Sequence, residues 1–173
     1  LPANQDISAR ITTPANLTIG AYHDINDKWS VMAEFGRTYW SSFDTLDIYG
    51  ENNGKMSTTE ERWKDTTFYA IGASYQYNDQ WKFRVGFAVD QSAVGQEYRT
   101  PRIPDSDRLW YSSGIEYKYN DDWTFNLGYT YIRADKGKVK LLGYHDGDNA
   151  RGSLQADYEN DIHILGFGAS YNF

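Results

Sequence analysis

The chain has 173 residues, a net charge of −7, no cysteine and 17% aromatic residues. That length suits one domain, residues 1–173, and the composition excludes a nucleic-acid partner, which needs a basic surface, as well as a disulfide framework or thiolate metal site. Mean hydropathy is negative and no apolar run approaches the eighteen or so residues of a membrane-spanning helix, but a transmembrane β-barrel escapes that test because only alternate residues touch lipid.

The opening LPANQD lacks the basic-then-apolar pattern of a secretory leader, so any leader is expected to have been removed. A short strand is predicted around Asp6 to Thr12, joined by the turn TTPAN to a second from Leu17 to Ile25. HDINDKW, ending at Trp29, is the first of three similar segments; YQYNDQW ends at Trp81 and YKYNDDW at Trp123. Each carries Asn-Asp, one residue and a Trp. Asn and Asp tolerate left-handed backbone angles and bond their own main chain, which predicts tight hairpin turns.

The strands flanking these turns share one phase. Trp29, Val31, Ala33 and Phe35 lead to Tyr39; Tyr69, Ile71, Ala73, Tyr75 and Tyr77 precede the second turn, and Trp81, Phe83, Val85, Phe87 and Val89 follow it. Leu109, Tyr111, Ile115, Tyr117 and Tyr119 lead into the third, and Trp123, Phe125, Leu127, Tyr129 and Tyr131 leave it. The last strand places His163, Leu165, Phe167, Ala169, Tyr171 and Phe173 on one side. A period of two gives each strand an apolar and a polar face. Between the strands, long polar loops run from Ser41 to Asp65, Gln91 to Arg108 and Asp135 to Asn160. Short turns on one rim and long loops on the other are the asymmetry of bacterial outer-membrane barrels. The count predicts an all-β fold, a transmembrane antiparallel up-and-down β-barrel of eight strands, with both termini on the turn side.

The apolar face is assigned to lipid. In a soluble cup it would fill a narrow lumen with Trp and Tyr and leave Gly72, Gly86, Gly114 and Gly128 exposed in mid-strand, where glycine weakens a sheet. Facing outward, Trp29, Trp81, Trp123, Tyr77 and Tyr119 form an aromatic girdle at the turn rim, and Tyr39, Tyr69, Tyr111 and Tyr131 a second at the loop rim. Inward glycines leave room for a lumen polar network of Glu34, Arg84, Glu116 and Lys118, with Arg84 and Glu116 at similar height. Phe173 resembles the terminal signal read by barrel-assembly machinery.

No catalytic spacing is present, and no enzyme is predicted. Asp105, Ser106, Asp107 and His145 at the outer rim are supported as a membrane-enzyme site by composition alone. His23, His145 and His163 lack metal-binding spacing and read as rim or loop residues. HDGDNARGS, from His145 to Ser153, lacks the twelve-residue calcium pattern and reads as a solvated loop. No cofactor or metal is expected.

YRTPRIPDSDRLWYSSG, from Tyr98 to Gly114, resembles the IPDxDRxW segment of the long-chain fatty-acid transporter family of Gram-negative outer membranes, the FadL type. WKDTTFYAIGASYQYND, WKFRVGFAVDQSAV and TPANLTIGAYHDINDKWSV extend the resemblance over essentially the whole chain. It implies the last eight of a fourteen-stranded barrel, without the family's plug and first strands. It also implies that Lys64, in RWKDT, is a head-group contact for a ligand carboxylate; the competing assignment is a rim lysine paired with Asp65 or Glu61. Arg99 and Arg108 are further candidate ligand contacts, although with Asp105 and Asp107 they read mainly as braces of a loop over the barrel mouth. The implied partners are the lipid bilayer, the barrel-assembly machinery and a fatty acid or detergent, around a monomer in the bacterial outer membrane. The alternative is a closed eight-stranded structural barrel, truncated, engineered or naturally shortened, without transport; two chains sharing a larger ring is also open.

Overall fold

The computed structural model describes residues 6–51, 54–143 and 152–173. Twelve strands are described: β1 Ile7–Ala9, β2 Asn16–Asp24, β3 Trp29–Thr38, β4 Thr45–Gly50, β5 Lys55–Glu60, β6 Thr66–Gln76, β7 Trp81–Asp90, β8 Arg108–Lys118, β9 Trp123–Ala134, β10 Gly137–Leu141, β11 Leu154–Tyr158 and β12 Asp161–Tyr171. Seven of them form one antiparallel wall in the order β12-β9-β8-β7-β6-β3-β2. Their nine to twelve residues are the length a tilted strand needs to cross hydrocarbon.

The three Asn-Asp turns are built alike. Backbone N–H groups of Lys28 and Trp29 donate to Asn26 Oδ1, both at 3.0 Å; Gln80 and Trp81 donate to Asn78, and Asp122 and Trp123 to Asn120. Each asparagine thus satisfies two N–H groups that the ladder leaves free, and the following Trp accepts from the residue before the turn, as Ile25 N does to Trp29 O at 2.9 Å. Left-handed angles are not used: among the described non-glycine residues only Arg62 has a positive φ.

Odd-numbered wall positions face outward. Ile71, Val85, Leu165 and Phe167 are 62–75% exposed, whereas Ser74 and Ala88 on the other face are each 6% exposed. Register carries this phase across the wall, as in the inner row Met32, Gly72, Gly86, Ser112 and Thr130. Apolar burial concentrates at the loop end: Ala88 and Ile132 on the wall, Ala93 and Val94 beyond β7, and Val139 and Leu141 in β10.

The wall has seven staves rather than eight. The segment around Asp6 to Thr12 contributes only β1, whose three residues pair with β4, Ile7 opposite Gly50 and Ala9 opposite Ile48. Three residues, about 10 Å of strand, are far too short to cross a bilayer. β1, β4 and β5 make a separate sheet, and β10 with β11 a hairpin. The long loops therefore carry strands of their own, and the chain enters β2 from the loop rim instead of the turn rim. β2 and β12 remain the two edges of the wall.

Candidate functional site

The inner face of the wall holds a trough of about 440 Å³ whose lining includes Met32, Glu34, Ala70, Gly72, Arg84 and Gly86. Gly72, opposite Gly86, and Gly114 set its floor at backbone level. Met32 lies across it, close enough that a Cβ on Gly72 would stand 3.0 Å from Met32 Cγ.

Arg84 braces this face. Its Nη2 pairs with Glu116 Oε2, and its Nη1 reaches Asn126 Oδ1 at 3.4 Å, so one guanidinium on β7 ties the inner face of β8 and β9. Lys118 lies outside this cluster and pairs with Asp121 at 2.9 Å on the turn rim. Glu34 stands exposed on β3 and forms no ion pair among the described residues.

The IPDSDR segment closes the loop end. Arg108 pairs with Asp90 at 2.9 Å and Asp105 at 2.8 Å. Ser92 donates its N–H to Asp107 at 2.7 Å and its hydroxyl to Asp105 at 2.8 Å. Arg99, 9% exposed, donates to the carbonyls of Asp105, Lys138 and Val94 at 2.6, 2.9 and 3.3 Å. The fork of donors matches three backbone acceptors from different loops, which fixes the loops to one another. Asp105 is engaged on both sides and the Ser106 hydroxyl is buried without a hydrogen-bond partner among the described residues, none of which aligns a base on it. His145 lies outside the described residues, as does most of HDGDNARGS.

Lys64 is exposed beside Gly95, held through its backbone N–H to Ala93 O at 2.9 Å, and it pairs with neither Asp65 nor Glu61. Asp65 takes Arg37 instead, at 3.4 Å, and the hydroxyl and N–H of Ser41, ahead of Arg37, hold its carboxyl below the ordinary range. Glu61 accepts the Trp63 indole N–H at 3.0 Å.

On the outer face, Trp29, Tyr77, Tyr119 and Trp123 are exposed at the turn rim, with Trp81 stacked 4.4 Å from Tyr117. Tyr39, Tyr69 and Tyr111 are exposed towards the loops, and the half-buried Tyr131 donates to Asp161 at 3.0 Å. His23 and His163 occupy outer positions within β2 and β12 rather than loops, and His163 Nδ1 lies 2.7 Å from the Tyr129 hydroxyl. Phe173 is fully exposed. Among the described residues no three His, Asp or Glu side chains converge as a metal site would require. Asp90, Asn126 and Met32 had not stood out in the sequence, although counting back from the turns sets Asp90 opposite Arg108.

A family model described as outer membrane protein transport protein (OMPP1/FadL/TodX) matches residues 2–173. The long-chain fatty acid transport protein of Escherichia coli is 29% identical over 171 residues, 99% of this chain and 36% of that protein. Outer membrane protein P1 of Haemophilus influenzae is 31% identical over 166 residues, covering 94% of this chain and 36% of its own length. Among solved structures, a FadL homologue of Pseudomonas aeruginosa superposes with a TM-score of 0.87 at 28% identity, over 95% of this chain and 37% of that one. The chain therefore spans little more than a third of these relatives.

Proposed function

Because the chain belongs to the OMPP1/FadL/TodX family of bacterial outer membrane proteins, we propose that its wall lines the path of a passive carrier for hydrophobic compounds, long-chain fatty acids foremost. The observation that carries this reading is the glycine-floored inner trough, apolar except at Glu34, Arg84 and the neighbouring serines. Away from Glu34, which forms no ion pair among the described residues, such a surface accepts an alkyl chain without burying unsatisfied polar groups. Lys64, exposed at the loop end, is a candidate first contact for a ligand carboxylate, with Arg99 and Arg108 holding the loops around it. The two aromatic girdles seat the wall in the bilayer, and Phe173 offers the barrel-assembly machinery its signal.

Strand direction favours this reading over a small closed barrel. Seven antiparallel staves leave β2 and β12 running the same way, both from loop rim to turn rim. Closing the wall on itself would create a parallel seam, and a ring of two copies would create two. An odd number of further staves closes it antiparallel and satisfies every edge group, as the hydrocarbon demands. A monomeric carrier with such staves between β2 and β12 meets that condition. The competing reading, a structural barrel without transport, draws on the Arg84–Glu116–Asn126 brace, which narrows the inner face. Uptake of labelled fatty acid into vesicles carrying the protein, above that with an unrelated eight-stranded barrel, is the expected result; uptake equal to that control would refute transport.

A further inference from the structure

At the turn end of the inner face, beneath the trough, lies a second cavity of about 430 Å³ whose lining includes Tyr22, Asp24, Ser30, Ser74, Gln76 and Lys82. One oxygen of Asp24 is engaged within the cavity: the hydroxyls of Tyr22 and Ser30 each donate to its Oδ1 at 2.6 Å. Lys82 is different. In the ladder it faces Gln76 on one side and Glu116 on the other, but Glu116 is held by Arg84 and the Gln76 amide donates to Asn78 O at 2.7 Å. Lys82 makes no ion pair or hydrogen bond among the described residues. Lys28 and Asp27 at the turn offset each other, so formal charge at the cavity sums to zero. A small anion entering beside Lys82 still meets an ammonium group that no carboxylate among the described residues contacts, Asp24 acting on it only at longer range.

Four to six residues up β7 from Lys82 lie Gly86 and Ala88, about 13 to 20 Å at the rise of a strand. That run leads into the trough, whose lining continues with Gly72 and Ala70. We propose that the turn-end cavity is a head-group site for the carboxylate of an amphipathic ligand, with Lys82 as its cationic anchor and the alkyl tail lying along the glycine floor. This rests on the carrier reading above. It places a polar station at the periplasmic rim of the wall, the end opposite Lys64.

Dodecanoate and dodecanol, identical in tail and different in head, separate the two ideas. Affinities are measured on outer-membrane vesicles containing the protein, with folding checked by heat-modifiable gel mobility. Lys82→Gln is expected to weaken dodecanoate at least fivefold and leave dodecanol unchanged, while Lys82→Arg retains dodecanoate. Unchanged dodecanoate binding in Lys82→Gln, or equal loss of both ligands, overturns the head-group site and leaves the carrier reading standing. Failure of the unaltered protein to bind either ligand above empty vesicles overturns both.

Discussion

Replacing Gly72 by alanine puts a methyl group 3.0 Å from Met32 Cγ, 3.3 Å from the Val85 carbonyl oxygen and 3.4 Å from Met32 Sδ. The Met32 side chain can swing aside, since a methionine adapts to irregular space. The carbonyl belongs to the β6–β7 ladder and cannot. Overpacking of this kind costs about 1–3 kcal/mol, offset by about 0.4–1 kcal/mol because alanine restricts the unfolded chain. Gly72→Ala should therefore destabilise the protein by about 1 kcal/mol, taking the lower half of that range because one neighbour yields. Gly128 faces nothing within 4 Å and has no positive φ, so Gly128→Ala should stabilise by about 0.5 kcal/mol. Reversible urea unfolding in bilayers, followed by tryptophan fluorescence, reads both. A second arm isolates the cause: Met32→Ala removes the two contacts that can yield and leaves the fixed Val85 carbonyl, so Gly72→Ala in that background should keep most of its cost. Equal shifts for Gly72→Ala and Gly128→Ala, or loss of the whole Gly72→Ala cost in the Met32→Ala background, would refute the packing of the trough.

Four other outcomes follow from the geometry. Arg84→Met should cost about 1 kcal/mol in the same assay, the upper end for a partly exposed pair, because Glu116 and Asn126 lose a shared donor; no change would remove the brace. Arginine at Val85 or Leu127, midway between the girdles on the outer face, should cost about 2–4 kcal/mol, while Ser170→Arg on the inner face costs little; the reverse order would invert the assignment of faces. Asp47, accepting from Lys55 and then Thr58, has its carboxyl held below its ordinary range. A depressed folded value means that its contribution is present above the unfolded value and lost as pH falls through the folded one, so protease resistance of the β4–β5 hairpin should fall only in strong acid; loss already near neutrality would contradict this. Removing Phe173 should lower the amount of folded protein in the outer membrane without changing its urea midpoint, and unchanged yield on quantitative blotting would deny it the role of assembly signal.

The staves were legible because two local signals agree. Asn26, Asn78 and Asn120 fix where each hairpin turns, and the period of two running outward from them fixes which side chains share a face. From the turns alone, Arg84 and Glu116 fall diagonally across β7 and β8, and the structure pairs them. What the sequence could not supply was structure held by distant contacts. β4, β5, β10 and β11 are five or six residues each in charged, glycine-containing stretches; β10 does alternate, with Val139 and Leu141 buried and Lys138 and Lys140 exposed, but so short a pattern does not name its partner, and the pairing depends on loop closure. The choice of Asp65 for Arg37 over Lys64 is likewise a matter of loop path, set by the Ser41 donors to the same carboxylate.

The first strand shows how counting goes astray when parity is treated as evidence. Asp6 to Thr12 has enough β-branched and apolar character to extend, and an even barrel wants an eighth stave. Yet Pro14 stands just before β2, and a proline lacks the N–H that a continuous hairpin ladder into β2 would use. Ile7 to Ala9 instead complete the free edge of β4, where three residues suffice because water satisfies what the partner does not. The consequence reaches past β1: with it gone from the wall, the edges β2 and β12 run in the same direction, and among the described residues both keep a row of unpaired backbone groups at membrane depth. Each such group costs several kcal/mol in hydrocarbon, so what pairs with these two edges decides whether the inner trough is a closed lumen or one side of a wider passage.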